Sequence, residues 1–227
     1  MNAKQRAAEA ALQYVASHMV VGLGTGSTAE FFIRALGARL SGGTLTGIRG
    51  VATSVRSEQL AREFNIPIVA LADAAPDVTV DGADEVDPHL DLIKGLGGAL
   101  LREKMVAQAS KKLVIIADAS KAVARLGTKS PLPVEVVQFS HEVHVPLLRS
   151  LGGAPTLRIT SAGRPYVTDN GNFIYDVKFD GIDRPSEILK SLRAQAGIVD
   201  CGLFLGLASL VLIADEQRVE VRNRSGK

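Results

Sequence analysis

Three short stretches of this chain combine residue types that can do chemistry. In Val20-Val21-Gly22-Leu23-Gly24-Thr25-Gly26-Ser27-Thr28, an apolar run ends in closely spaced glycines and hydroxyl residues follow. Glycines let backbone N–H groups come close to an anion, and a helix N-terminus adds partial positive charge. The spacing is G-x-G-x-G, which differs from the dinucleotide fingerprint G-x-G-x-x-G, and no Walker lysine follows. The stretch reads as a phosphate or carboxylate site, with a plain tight turn as the alternative.

The second stretch is Val80-Asp81-Gly82-Ala83-Asp84-Glu85. Several carboxylates on one short loop repel one another unless a cationic or hydroxyl group sits between them. A solvated acidic turn and a divalent-metal loop are the other readings, and the spacing excludes an EF-hand. The third stretch is Lys94-Gly95-Leu96-Gly97-Gly98-Ala99, running into Leu100-Leu101-Arg102-Glu103-Lys104. A lysine beside a glycine-rich turn can hold an oxyanion. Glu103 is expected about two turns into the following helix, with Ala99, Leu100, Val106 and Ala107 as its neighbours on one face. A carboxylate on such an apolar stripe loses hydration, which raises its pKa toward what a general base needs. Taken alone, Glu103 reads more readily as a surface glutamate. Ser120-Lys121 can supply a cation for a phosphate, and Thr53-Ser54 with Ser57-Glu58 can line a pocket or cap a helix. His141 and His144 stand three apart with nothing nearby to complete a metal set.

These stretches need elements to hold them. Apolar runs and helical patterns alternate through the first 117 residues: helix 3–17, strand 19–23, helix 28–40 with Ser27 or Thr28 as N-cap, strand 48–52, helix 57–64, strands 68–70, 78–80 and 90–93, helix 99–110 and strand 113–117. That order predicts a mostly parallel α/β sheet covered on both faces, with ligands at the carboxyl ends of its strands. Ser130-Pro131-Leu132-Pro133 reads as a linker. Beyond it come strand 134–139, helix 141–151, strand 156–159, a strand pair turning at Asp169-Asn170-Gly171-Asn172, helix 185–194 and strand 198–203. This βαββαβ order predicts a ferredoxin-like α+β domain. Apolar runs at 210–214 and 218–221 return to the first sheet. Residues 1–130 plus 206–227 are therefore expected to form a Rossmann-like domain, and 131–205 an inserted smaller one.

Composition narrows the function class. Hydrophobic residues make up 46 % of the 227, enough for a sizeable core, and 26 basic against 24 acidic residues give a formal charge of +2. Nucleic-acid binding calls for a basic stripe with interleaved aromatics; Lys111-Lys112 and Arg222-Asn223-Arg224 read as solvated surface or a loose tail. One cysteine, Cys201, forms no internal disulfide and suits a reducing compartment. The charged, alanine-rich start is unlike a signal peptide, and no apolar run is long enough to span a bilayer, so the cytoplasm is expected.

GLGTGSTA, DGADEVD, KGLGGALLREK, IADASK, SPLPVEV and TDNGN, in this order, resemble ribose-5-phosphate isomerase of type A from about residue 3 to residue 221. The resemblance implies a metal-free, cofactor-free aldose–ketose isomerase of the pentose phosphate pathway, acting as a homodimer or homotetramer through an enediolate. It puts the base on Glu103, with Asp81 and Lys94 also catalytic. Substrate contacts fall on Thr25, Gly26, Ser27, Thr28, Asp81, Gly82, Ala83, Asp84, Lys94, Gly95, Leu96, Gly97 and Lys121. Leu96 stands where the family commonly has glycine or alanine, and Lys4 is the nearest counterpart of its amino-terminal lysine. A sugar-phosphate sensor and a related-fold deaminase or CoA-transferase are the rival readings.

Overall fold

The structure, a computed structural model, describes residues 1–224. The final three residues of the segment 206–227 lie outside the described residues. The chain divides into two units. The first comprises Met1–Ala83, Arg102–Ala122 and the stretch from Gly206; the second comprises Asp84–Leu101 and Val123–Leu205. The second unit thus holds the segment 131–205 and also takes in Asp84–Leu101 and Val123–Ser130.

In the first unit the chain runs α1 (Ala3–Ala11), β1 (Val20–Leu23), α2 (Ser27–Ser41), β2 (Arg49–Ala52), α3 (Val55–Glu63) and β3 (Val78–Gly82). It continues, after an excursion, with most of α4 (Leu100–Ala109), then β6 (Leu113–Asp118), β12 (Leu210–Ala214) and β13 (Val219–Asn223). The strands form one sheet in the order β13-β12-β6-β3-β1-β2, parallel throughout except for the β12–β13 pair. Strands such as β6, whose first five residues are all buried, are near-continuous apolar runs because helices cover both faces. Ala7 and Ala11 of α1, Phe32 and Leu36 of α2, and Leu60 of α3 share a core with Val21, Val80, Val114 and Leu212. Val106 of α4 packs with Val20 and Val51 in a separate cluster. The chain leaves β1 toward β2 on one side and reaches β3 on the other, so the switch point of the sheet lies between β1 and β3. Ligands of open α/β sheets bind at such a crevice.

The second unit contains β4 (Glu85–Val86), β5 (Leu92–Ile93), β7 (Leu132–Val136), α5 (Val145–Ser150), β8 (Ala154–Leu157), β9 (Phe173–Lys178), α6 (Pro185–Arg193), β10 (Ile198–Cys201) and β11 (Leu203–Phe204). Its larger sheet has the order β10-β7-β9-β8 with every neighbouring pair antiparallel. That is the order βαββαβ gives when the third strand slots between the first two. Val134, Val136, Tyr175 and Val177 point from the sheet into a core shared with Leu148 of α5 and Leu192 of α6. The chain is therefore α/β, with a mainly parallel central sheet and a separate small antiparallel one.

Several local expectations are corrected. The run 90–93 does not join the parallel sheet; β5 pairs with β4 and β11 in a three-stranded antiparallel sheet. Residues 68–70 make only an isolated bridge, Gly50 to Ile68. The apparent linker at 130–133 contains the start of β7: Pro133 is tolerated near a strand end, and its carbonyl accepts the Gly202 N–H at 2.7 Å. The strand stops at Val136, and Phe139 is 86 % exposed. The helix expected over 141–151 is a 3₁₀ turn, His141–His144, followed by α5 with Pro146 in its first turn. Arg222 and its neighbour Asn223 belong to β13 rather than to a loose tail.

His144 lies buried in that 3₁₀ turn, and its Nδ1 has no hydrogen-bond partner among the described residues. Burial, reinforced by neighbouring His141, holds its pKa below the usual histidine value. The folded chain thus resists taking a proton that the unfolded chain accepts, so this contribution to stability is complete above the ordinary value and is lost as pH falls below it. Lowering the pH from about 7.5 to about 5.5, across the ordinary histidine value, is expected to weaken resistance to denaturant. His144→Leu should flatten that dependence; an unchanged pH slope in the variant would rule out His144 as its source.

Candidate active site

In the first unit, the glycine-rich loop after β1 and the end of β3 lock together. Asp81, 0 % exposed, accepts the Thr25 N–H at 3.0 Å and the Gly82 N–H at 2.7 Å, both on Oδ1. Gly24 is required here, because a Cβ at that position would sit 2.3 Å from Asp81 Oδ1 and 2.5 Å from its Cα. The Thr25 hydroxyl lies 2.7 Å from that of Thr53 and donates to Ser54 Oγ at 2.8 Å. Ser54 in turn caps α3 in a reciprocal pair with Ser57, so the cap and the pocket-lining readings of this segment are compatible.

The N-cap of α2 is Gly26, not Ser27 or Thr28, since its φ of 101° is one that side chains disfavour. Ser27 and Thr28 are consequently the first helical residues, where main-chain N–H groups are still without helical partners. Lys4 of α1 donates from Nζ to Ser27 Oγ at 2.8 Å, bringing a cation to this helix start. Lys121 is half-buried at the end of a 3₁₀ turn, Ala119–Lys121, that follows β6 and is capped by Asp118. Glu103 is 4 % exposed. It stands in the first turn of α4, not two turns in, being only the fourth residue of a helix that starts at Leu100. There the helix N-terminus brings partial positive charge close to the side chain.

In the second unit, Asp84 and the lysine–glycine stretch form a compact group. Asp84 donates its N–H to the Ile93 carbonyl at 2.8 Å, and its Oδ2 accepts the Leu96 N–H at 3.0 Å. Lys94 is 2 % exposed and its main-chain N–H donates to the Gly202 carbonyl at 2.9 Å. Its Nζ lies 5.5 Å from the centre of the Phe204 ring, an arrangement that suits a cation. Leu96 presents its side chain to solvent, so the bulk that replaces glycine or alanine lies outside the main-chain contacts.

Main-chain amides meet the carboxylates of the loop 81–85 and of Asp87 beyond it. Asp81 and Asp84 take the N–H groups just given. Glu85 accepts those of Gly127, Lys129 and Ser130, each at 2.6 Å, which makes it a clamp on a distant turn. Asp87 accepts those of His89 and Asp91, each at 2.9 Å, and burial pushes its pKa up. Among the described residues no group of His, Cys, Asp and Glu side chains is arranged to hold a metal ion, and no helix is long and apolar enough to cross a membrane.

The family model described as ribose 5-phosphate isomerase A (phosphoriboisomerase A) matches residues 49–218. A ribose-5-phosphate isomerase A from Roseiflexus castenholzii is 53 % identical over 213 residues, covering 93 % of this chain and 91 % of that protein. One from Deinococcus radiodurans is 46 % identical over 221 residues, covering 97 % of each. Among solved structures, a D-ribose-5-phosphate isomerase in complex with phospho-erythronic acid superposes with a TM-score of 0.96 at 39 % identity, over 99 % of this chain and 100 % of that one. The ribose 5-phosphate isomerase from Plasmodium falciparum gives 0.95 at 35 % identity, over 98 % of each chain.

Proposed function

Since the chain belongs to the ribose-5-phosphate isomerase A family and is an isomerase, we propose that it interconverts D-ribose 5-phosphate and D-ribulose 5-phosphate through an enediolate. The reaction takes a proton from the carbon beside a carbonyl and returns one to its neighbour. The observation that carries this reading is a pair of buried carboxylates, Asp81 and Glu103, in the unit whose sheet switch point bears a glycine-rich helix start.

Glu103 moves the carbon-bound proton between C2 and C1 as a positioned general base. Asp81 manages the proton between the two sugar oxygens. Lys94 stabilises the oxyanion as charge develops there, and Asp84, with Gly82, Ala83, Gly95, Leu96 and Gly97, binds sugar hydroxyls. The phosphate is held at Thr25, Gly26, Ser27 and Thr28 with Lys121, and Lys4 joins them because its ammonium already reaches Ser27. Anchoring a remote dianion positions the reacting carbons. The phospho-erythronic acid in the related structure carries both a phosphate and a planar, two-oxygen carboxylate. That is the charge pattern an enediolate phosphate presents. The setting is the non-oxidative pentose phosphate pathway of the cytoplasm, in an assembly of two or four identical subunits, with no metal.

Ribose 5-phosphate mixed with the protein in deuterated water is expected to yield ketose carrying solvent deuterium at C1. Binding without ketose formation overturns the substrate assignment. Ketose free of deuterium through many turnovers overturns a base that exchanges with solvent.

A further inference from the structure

Arg158 follows β8 in the second unit, about sixty residues from the lysine–glycine loop in sequence, yet its guanidinium is bound to that loop. Nη1 donates to the carbonyls of Gly95, at 3.2 Å, and Leu96, at 3.0 Å. Nε donates to Asp176 Oδ2 at 2.8 Å and Nη2 to Asp176 Oδ1, a bidentate pair on β9 with both side chains largely buried. The guanidinium carbon lies 5.7 Å from the centre of the Tyr166 ring. The Tyr166 hydroxyl in turn covers Gly98 so closely that a Cβ there would be 2.1 Å away. One planar cation thus joins a sheet carboxylate, an aromatic ring and two successive loop carbonyls.

The direction of those carbonyls has a consequence. The described residues have no cis peptide bond, and in a trans peptide the C=O and the following N–H point opposite ways. With the Gly95 and Leu96 carbonyls turned to Arg158, the Leu96 and Gly97 N–H groups must face away from it. The Leu96 N–H does so, reaching Asp84 Oδ2 at 3.0 Å. The Gly97 N–H shares that orientation on an exposed residue and donates to no acceptor among the described residues.

We propose that Arg158, backed by Asp176 and Tyr166, is a positioning residue for the isomerase: it fixes the peptides of residues 95–97 so that the Gly97 N–H and the Leu96–Asp84 pair are pre-set for the sugar oxygens. The inference rests on the reading above that this loop binds substrate. It makes Arg158 different from a surface arginine, whose exposed ion pair contributes little. A charge-assisted fork also cannot be reproduced by lysine, which offers one compact charge.

The test compares wild type with Arg158→Ala, Arg158→Lys and Asp176→Asn, using ribose 5-phosphate kinetics and hydrogen exchange of the main-chain amides. Arg158→Ala is expected to lower kcat/KM by roughly 10- to 100-fold, the scale of a small misplacement of reacting groups. Exchange should quicken in the peptide containing residues 95–98 and stay unchanged in the β7 and β9 amides. Millimolar guanidinium ion should restore part of the lost rate in Arg158→Ala and leave wild type unaffected. Arg158→Lys and Asp176→Asn should fall between and carry the same readouts if the alanine variant does not fold. Rates within about twofold of wild type in all three variants overturn the proposal. So does exchange that rises evenly across the second unit with no guanidinium rescue, since that is loss of stability alone. A wild-type chain inactive on ribose 5-phosphate overturns the substrate reading instead, and the exchange data still decide whether Arg158 holds the loop.

Discussion

Glu103→Gln is expected to lower turnover by about 10²- to 10⁴-fold, the range that separates a positioned base from none. The two side chains match in shape, so a site 4 % exposed keeps its packing. What changes is that an amide cannot take a proton from carbon. Substrate affinity should survive, because the phosphate is anchored elsewhere. The loss therefore belongs in kcat, with KM within a few-fold of wild type. Glu103→Asp keeps the carboxylate but withdraws it by a methylene, and should land between the two. The measurements are ketose formation, loss of the C2 hydrogen from substrate in deuterated water, and melting temperature. Near-normal turnover in correctly folded Glu103→Gln would remove Glu103 from the chemistry altogether.

The second large effect is at Asp81, where two substitutions separate structure from chemistry. Its Oδ1 accepts two main-chain N–H groups that hold the loop after β1 onto the end of β3. Asp81→Asn retains an oxygen for those donors and loses the charge. It should fold nearly as well as wild type and lose on the order of 10²-fold in turnover, the low end of the range for a lost acid–base group. Asp81→Ala removes the acceptor that both half-buried N–H groups share, at up to about 1–3 kcal/mol each. It should lose stability as well as rate. Denaturant titration beside steady-state kinetics distinguishes the two. Asparagine as destabilising as alanine would mean that charge rather than the acceptor holds the loop. Full activity in Asp81→Asn would exclude a proton-handling role.

Much of the first unit is legible in sequence because its strands are buried on both faces and written as apolar runs; residues 113–117 and 210–214 are the plainest cases. The glycines and carboxylates at the strand ends are legible for a related reason, since only a few residue types let backbone amides crowd around an anion. What escaped is what depends on partners far along the chain. Two-residue strands such as Leu92–Ile93 have no periodicity to detect, and Pro133 resembles a linker until its carbonyl is seen to be claimed by Gly202. Glu85 reads as one more acid in a cluster, yet its role is set by amides 42 to 45 residues downstream. Arg158 gives no local signal whatever: its partners are Gly95, Leu96 and Asp176, and no motif spans that distance.

The strand order of the first unit bears on how the protein is made. Ala214 completes β12, which inserts between β6 and β13 and pairs with residues almost a hundred positions earlier. Arg6 of the opening helix donates to the carbonyls of Asp215 and Glu216, closing a still longer circuit. The second unit, by contrast, has most of its pairings within one continuous stretch and can mature while the ribosome is still working. The first must wait with an incomplete sheet edge until the carboxyl-terminal strands emerge, so non-local pairing sets its pace. During that interval the unpaired flank of β6 is where self-association competes with folding.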